Sequence, residues 1–322
     1  MQMYNSILDI YKSFDAFVFD ANGVLWGGKD WFDGVLDTLQ KLISEGKIVY
    51  IFSNSTFRAD FTISQYEKYN LKRDIHYTKI ITNGEIVHEF LKNKLLKFTS
   101  NPTPLKYYNL FYPNKALFEN TPYKEVSDMA DADFIYIGIP RIHSSQTDII
   151  GKYSSMLNNF GGNTKTFFDK EGDVWYDCLE MTPFNEMLEG VKSLKLPVLN
   201  INPDFTAKEN GAFVIRQGSI ANEFLKSEIE VVQFGKPLKI TFENALKDLS
   251  SISKDKILMI GDSISNDIVG ANNYGIKSAL VCHTGLTANE VLNGDEVDTC
   301  KLSDLIKQNN ATVDFIIKKV AV

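Results

Sequence analysis

The chain of 322 residues is poor in the residues that staple or ligate. Its three cysteines, Cys178, Cys282 and Cys300, lie far apart with no CxxC spacing, so neither a disulfide framework nor a cysteine zinc site is indicated. The four histidines, His76, His88, His143 and His283, form no HxH or HExxH pair, which argues against histidine-held metal. No run approaches the roughly 18 apolar residues of a membrane span, and the opening MQMYNSILDIYKSFDAF has neither the basic start nor the long apolar stretch of a targeting signal. Internal repeats and low-complexity tracts are absent too. The reading is a cytoplasmic protein in a reducing compartment, with no membrane partner. Basic residues are also in deficit: 34 Lys and Arg face 41 Asp and Glu, a net charge of -7. A nucleic-acid polymer is thereby set aside as a partner, because such binding rests on clustered cations that neutralise phosphates.

What is present is alternation. AFVFD reads as a buried strand, Val35, Leu36, Leu39, Leu42 and Ile43 share one helical face, and KIVYIFS is again a strand. That is a βαβ unit, the mark of a parallel sheet. The same grammar returns in VVQFG, a helix from about Pro237 carrying Leu238, Phe242, Leu246 and Leu249, then KILMI, a helix near Asp267 to Tyr274, and KSALVC. The expected fold is α/β, a Rossmann-like core with a parallel sheet built from residues 1–84 and 228–322. Between them, 85–227 changes character, with Pro and Asn clustered in FTSNPTPLKYYNLFYPN and separate strand candidates in FIYIGIP and PVLNIN. More than a hundred residues with elements of their own exceed an ordinary connection, so an inserted α/β domain is expected there.

Ligands of open parallel sheets bind beyond the carboxyl ends of the strands. At those ends stand Asp20; Ser53 and Asn54; Gly235, Lys236 and Pro237; and Gly261, Asp262 and Ser263, with Asp267 further on. Singly, each is more often a cap or turn residue. Together, two or three carboxylates suit Mg²⁺, while Ser53 and Lys236 offer a hydrogen bond and a positive charge to phosphoryl oxygens. The combination points to phosphate chemistry.

The ordered set FDANGVLW, FSNS, FGKP and MIGDSISNDIVGA resembles the four motifs of the haloacid dehalogenase superfamily. The insertion between the second and third motifs resembles its C2-type caps, and the closest likeness is to p-nitrophenyl phosphatases and sugar- or nucleotide-phosphate phosphatases. Thinner matches are Gly34 after WGGKDWFD, INPD at Ile201 to Asp204, and Gly218 to Ala221. The resemblance implies that Asp20 attacks phosphorus and becomes an aspartyl phosphate. It also implies that Gly23, Ser53, Asn54 and Lys236 hold the phosphoryl group of a small phosphorylated substrate. Mg²⁺ is implied as cofactor, bound by Asp20, the backbone carbonyl of Asn22 and Asp262, with Asp267 a direct or water-mediated partner. A homodimer through the cap is a further implication.

Asn22 departs from the pattern, which has an acid–base Asp two residues after the nucleophile. A carboxamide does not titrate, and a positioned acid or base is worth about 10²–10⁴ in rate. Three readings follow: a phosphatase for substrates with good leaving groups, a sensor of phosphorylated metabolites with little turnover, or an enzyme in which another group or water replaces the acid. A receiver-like phospho-acceptor is a fourth, opposed by the insertion and by GDSISND. In the insertion, 92–115 carries five lysines, no acid, and Phe98, Tyr107, Tyr108, Phe111 and Tyr112. A solvated face over an apolar core is the simpler reading of that stretch, and a lid for an anionic or aromatic substrate the sharper one. Trp26 is read as a loop-packing residue, His143 as a surface one.

Overall fold

Ala16–Phe19 is buried at all four positions, as a strand covered on both faces must be. It lies inside a seven-stranded sheet whose order is Met3–Tyr4, Phe315–Ile317, Lys277–Val281, Ile257–Gly261, Ala16–Phe19, Ile48–Ser53 and Lys79–Thr82. Every neighbouring pair is parallel. Ala16–Phe19 therefore has a strand from the start of the chain on one side and one from its end on the other, a topological switch point. The computed structural model describes residues 2–158, 174–209 and 212–321. These form two compact units, Met1–Ile86 with Gly235–Val322, and Val87–Phe234.

The helix expected from the spacing at Val35 runs Val35–Ser44 and buries Val35, Leu39 and Leu42. The helix anticipated near Pro237 is shorter than its apolar spacing suggested: Lys239–Ala245 is α-helical, and a 3₁₀ turn, Lys247–Leu249, completes the buried face. Phe242 is fully buried there, edge-on to Phe52 with centroids 5.3 Å apart. Ahead of the α-helix Val269–Tyr274 stands a wider π-helical turn, Ile264–Ile268, a feature common at functional sites.

The second unit holds its own parallel sheet, in the order Val231–Gln233, Val198–Asn200, Phe134–Ile137, Lys106–Leu110 and Lys124–Glu125. One expectation needs correcting here. VVQF is not a core strand, because Val231–Gln233 pairs in register with Val198–Asn200, and this unit extends to Phe234 rather than ending at 227. An apolar run reports that a strand is buried, not which sheet supplies its hydrogen bonds. In the 92–115 stretch, Phe98, Tyr107 and Tyr112 are buried and Tyr107 stacks on Phe118 at 3.8 Å, whereas all five lysines are exposed. Those aromatics are core, and the lysines its solvated face. His143 lies against Trp175, with ring centroids 4.7 Å apart. Among the described residues no helix is long and apolar enough to cross a membrane.

Truncating Phe242 would leave a cavity under Phe52. Phe242→Ala is expected to cost about 3–5 kcal/mol, read as a lower urea midpoint at unchanged slope.

Candidate active site

The register of the core sheet sets the first distances. Phe19 pairs with Ile260 on one side and with Ile51 on the other. Asp20, whose amide donates to the Ile260 carbonyl at 2.8 Å, thus leaves the sheet between Gly261 and Phe52, with Ser53 one residue farther along. Ser53 is 5% exposed, and its hydroxyl accepts from the Ser55 amide at 3.2 Å.

Lys236 reaches this edge from a loop, not from a core strand as its sequence position suggested. Asn54 fixes that loop: its Oδ1 accepts from the Lys236 amide at 2.8 Å and its Nδ2 donates to the Lys236 carbonyl at 3.4 Å. Asn83 in turn donates to Asn54 Oδ1 at 3.1 Å. So held, the Lys236 ammonium lies 2.5 Å from Asp20 Oδ1 and 2.7 Å from Asp267 Oδ1, and donates to the Phe52 carbonyl at 3.0 Å. Its side chain is only 2% exposed.

Two further carboxylates complete the cluster. The π-helical turn brings Asp267 back beneath the strand end, where its Oδ2 accepts from the Ser263 amide at 3.1 Å. Asp262 is gripped by the segment after Lys277–Val281. Its Oδ2 accepts from the Leu286 amide at 2.5 Å, and its backbone carbonyl from the Thr287 hydroxyl at 2.6 Å. Gly23 and Gly285 both have positive φ, and a Cβ on either would overlap the Asp262 carboxylate. One oxygen from each of Asp20, Asp262 and Asp267 lies within 4.8 Å of the others.

The electrostatics follow from burial. Desolvation pushes the Asp20 pKa up, with Lys236 opposing and Asp267 adding to the rise, to about 7. Asp262 is likewise held well above the ordinary carboxylate range, by burial first and then by the charges of Asp20 and Asp267. Burial alone would lower the Lys236 pKa, but the two carboxylates outweigh it and raise it. Three carboxylates face one ammonium. With all three ionised, two negative charges are left over, and a donor set of oxygen alone fits a hard divalent cation.

All the expected site residues except Asn22 are thus tied by contact or register to one edge. Asn22 is exposed, and its carboxamide makes no hydrogen bond with the described residues; its backbone bridges to Trp26. Sequence reasoning missed Asn83 and the Gly285 to Thr287 segment. Both follow core strands, Lys79–Thr82 and Lys277–Val281, so the strand-end rule that found Asp20 would have found them.

A seven-stranded parallel sheet carrying a lysine-bridged carboxylate cluster at its switch point defines a phosphoryl-transfer type of site. A haloacid dehalogenase-like hydrolase family model matches residues 17–103, and a HAD-hydrolase-like model matches 233–305. The chain is 24% identical over 314 residues to phosphoglycolate phosphatase 1A, chloroplastic, of Arabidopsis thaliana, covering 94% of this chain and 80% of the relative. It is 24% identical to the 4-nitrophenylphosphatase of Schizosaccharomyces pombe, covering 89% and 88%. The crystal structure of a haloacid dehalogenase-like hydrolase from Brucella suis 1330 superposes with a TM-score of 0.71 at 17% identity, covering 99% and 100%. The chain belongs to the haloacid dehalogenase superfamily of hydrolases, in the subfamily IIA-like group with an inserted C2-type cap.

The raised pKa values have a consequence for the metal-free protein. Between about pH 4 and pH 7 the unfolded chain gives up the Asp20 proton while the native state keeps it, so native stability falls as pH rises through that window. In EDTA, this contribution should lower the melting temperature at pH 8 relative to pH 5. Asp20→Asn, which has no such proton, should shrink the difference between the two temperatures.

Proposed function

We propose that this chain hydrolyses phosphate monoesters of a small metabolite, such as a sugar phosphate, a nucleotide or an aryl phosphate, through an aspartyl phosphate on Asp20. The observation that carries the reading is the buried Lys236 ammonium shared between Asp20 and Asp267 beside Asp262. The printed activities of the relatives, on phosphoglycolate and 4-nitrophenyl phosphate, support the substrate class.

Each residue then has a task. Lys236 favours the ionised form of Asp20 against the effect of burial, holds it in place, and faces the incoming phosphoryl oxygens with a positive charge. Ser53 and the backbone around Gly23 and Asn54 hold the remaining phosphoryl oxygens. Phosphatases of this family use a divalent metal ion. Here Asp20, the Asn22 carbonyl and Asp262 would hold Mg²⁺. Asp267, whose oxygens already face Lys236 and the Ser263 amide, is better suited to hold it through water. The ion would neutralise charge on the phosphoryl oxygens and on the attacking carboxylate. Asn22 supplies its carbonyl as well as an Asp would, so ion and phosphate binding survive the replacement, while its carboxamide can neither give nor take a proton.

That last point favours a second reading, a sensor of phosphorylated metabolites with little turnover. Phosphate release from p-nitrophenyl phosphate, acetyl phosphate and a panel of sugar and nucleotide phosphates, with Mg²⁺, separates the two. An active native chain, inactivated by Asp20→Asn and accelerated by Asn22→Asp by at most about 10²–10⁴ on poor leaving groups, is the expected result. Activity confined to Asn22→Asp would make the chain a sensor.

A further inference from the structure

The edge strand Lys79–Thr82 ends beside Ile48–Ser53, with Thr82 paired in register with Ser53. The chain turns straight into the helix Asn83–Lys92, and the residues at this turn meet the loop after Ser53 one by one. Asn83 Nδ2 donates to Asn54 Oδ1 at 3.1 Å, the Gly84 amide to the Ser55 carbonyl at 3.0 Å, and the Thr82 hydroxyl to the Phe57 carbonyl at 2.7 Å. The Glu85 carboxylate accepts from the Arg58 guanidinium at 2.7 and 3.0 Å and from the Ala59 amide at 3.1 Å. The two backbones are in close contact, for a Cβ on Gly84 would overlap the Thr56 and Phe57 carbonyls. Thr82 to Glu85 thus form a template on which Asn54 to Ala59 are laid.

One of these bonds differs from the others in what lies behind it. Asn54 Oδ1 accepts from the Lys236 amide at 2.8 Å as well as from Asn83, while its Nδ2 donates to the Lys236 carbonyl at 3.4 Å. A carboxamide turned over keeps its shape, but here it would set its NH₂ group against both incoming N–H groups, donor facing donor. Two donors on Oδ1 make the reversed orientation costlier than one would. Asn83 is fully buried, so water does not compete for its amide. The Lys236 backbone held in this way carries the ammonium that bridges Asp20 and Asp267.

We propose that Asn83 is a positioning residue of the phosphoryl site: it locks the Asn54 carboxamide in the orientation that holds the Lys236 backbone, and so fixes where the ammonium meets the nucleophile. This rests on reading the site as a phosphatase. Asn83 acts through Asn54 and takes no chemical step of its own. Thr82 and Glu85 hold the same loop farther along, at Phe57, Arg58 and Ala59, and do not orient that carboxamide.

The test compares Asn83→Ala with Asn83→Leu, which both lack the donor but fill different volumes, so that one stays informative if the other fails to fold. Each should lower kcat by about 10-fold, with KM changed by less than about threefold. The loss should be the same on p-nitrophenyl phosphate and on sugar phosphates, because the leaving oxygen is not involved. Thr82→Val, which removes a neighbouring bond of the template, should lower the melting temperature and leave kcat within about twofold. In an Asn54→Ala background, itself slowed, Asn83→Leu should change kcat by less than about twofold, since the group it acts through is gone. Unchanged kcat in the Asn83 variants, an equal loss in Thr82→Val, or a full loss persisting in the Asn54→Ala background makes Asn83 a structural residue only. Any of these overturns the proposal and leaves the phosphatase reading standing. If the native chain releases phosphate from no ester, that reading falls and takes this one with it.

Discussion

One buried ammonium organises the chemistry of this chain. Lys236 is almost wholly removed from water, and an uncompensated charge there would cost several kcal/mol. The cost is offset by short contacts to Asp20 and Asp267 and by the Phe52 carbonyl. Each contact comes from a different strand end or turn, so the ion pair can form only when the parallel sheet is in register and the π-helical turn is closed. Conversely, the ammonium offsets part of the repulsion among carboxylates that sit so near one another. Fold and site are therefore coupled through electrostatics and not merely through proximity.

The supporting parts follow from that demand. Asn54 uses both ends of its carboxamide to hold the Lys236 backbone, so the ammonium is aimed by hydrogen bonds rather than by side-chain length alone. Glycine does the equivalent work around Asp262. At Gly23 and Gly285 the positive φ and the absence of a Cβ allow two backbone segments to close on a carboxylate that a methyl group would displace. The site is in this sense built from backbone as much as from side chains, with the Leu286 amide and the Asp262 carbonyl among its working groups.

Much of this was legible in the sequence, for identifiable reasons. A short, wholly apolar run ended by a carboxylate, as in AFVFD and ILMIGD, marks both a buried parallel strand and its functional end. The order of the four motifs FDANGVLW, FSNS, FGKP and MIGDSISNDIVGA carried the family resemblance. Where the reading slipped, at VVQF, the information needed was pairing between strands distant in sequence, which apolarity does not encode. Lys236 was placed at the correct edge, although its route there is a loop pinned by Asn54. The Trp26, Trp31 and Tyr66 packing lay beyond reach for a related cause: these rings meet across the loop after Asp20 and the helix Ala59–Glu67, with no periodicity linking them.

Under the proposed phosphatase reading, charge also accounts for how a replacement at residue 22 would spare binding and slow turnover. The cluster already contains three carboxylates against one ammonium, and two of them resist ionisation because of burial and mutual repulsion. A fourth carboxyl at residue 22 would raise the negative potential unless it stayed protonated, and a protonated carboxyl is the state a general acid needs. A carboxamide avoids the added charge but gives up that proton. The loop then retains its geometry and its carbonyl, and the difficulty moves to the leaving oxygen, which must be stabilised by a neutral donor or by its own low basicity. On these grounds the chemistry of the leaving group, more than the affinity for phosphate, should decide which esters this chain can turn over.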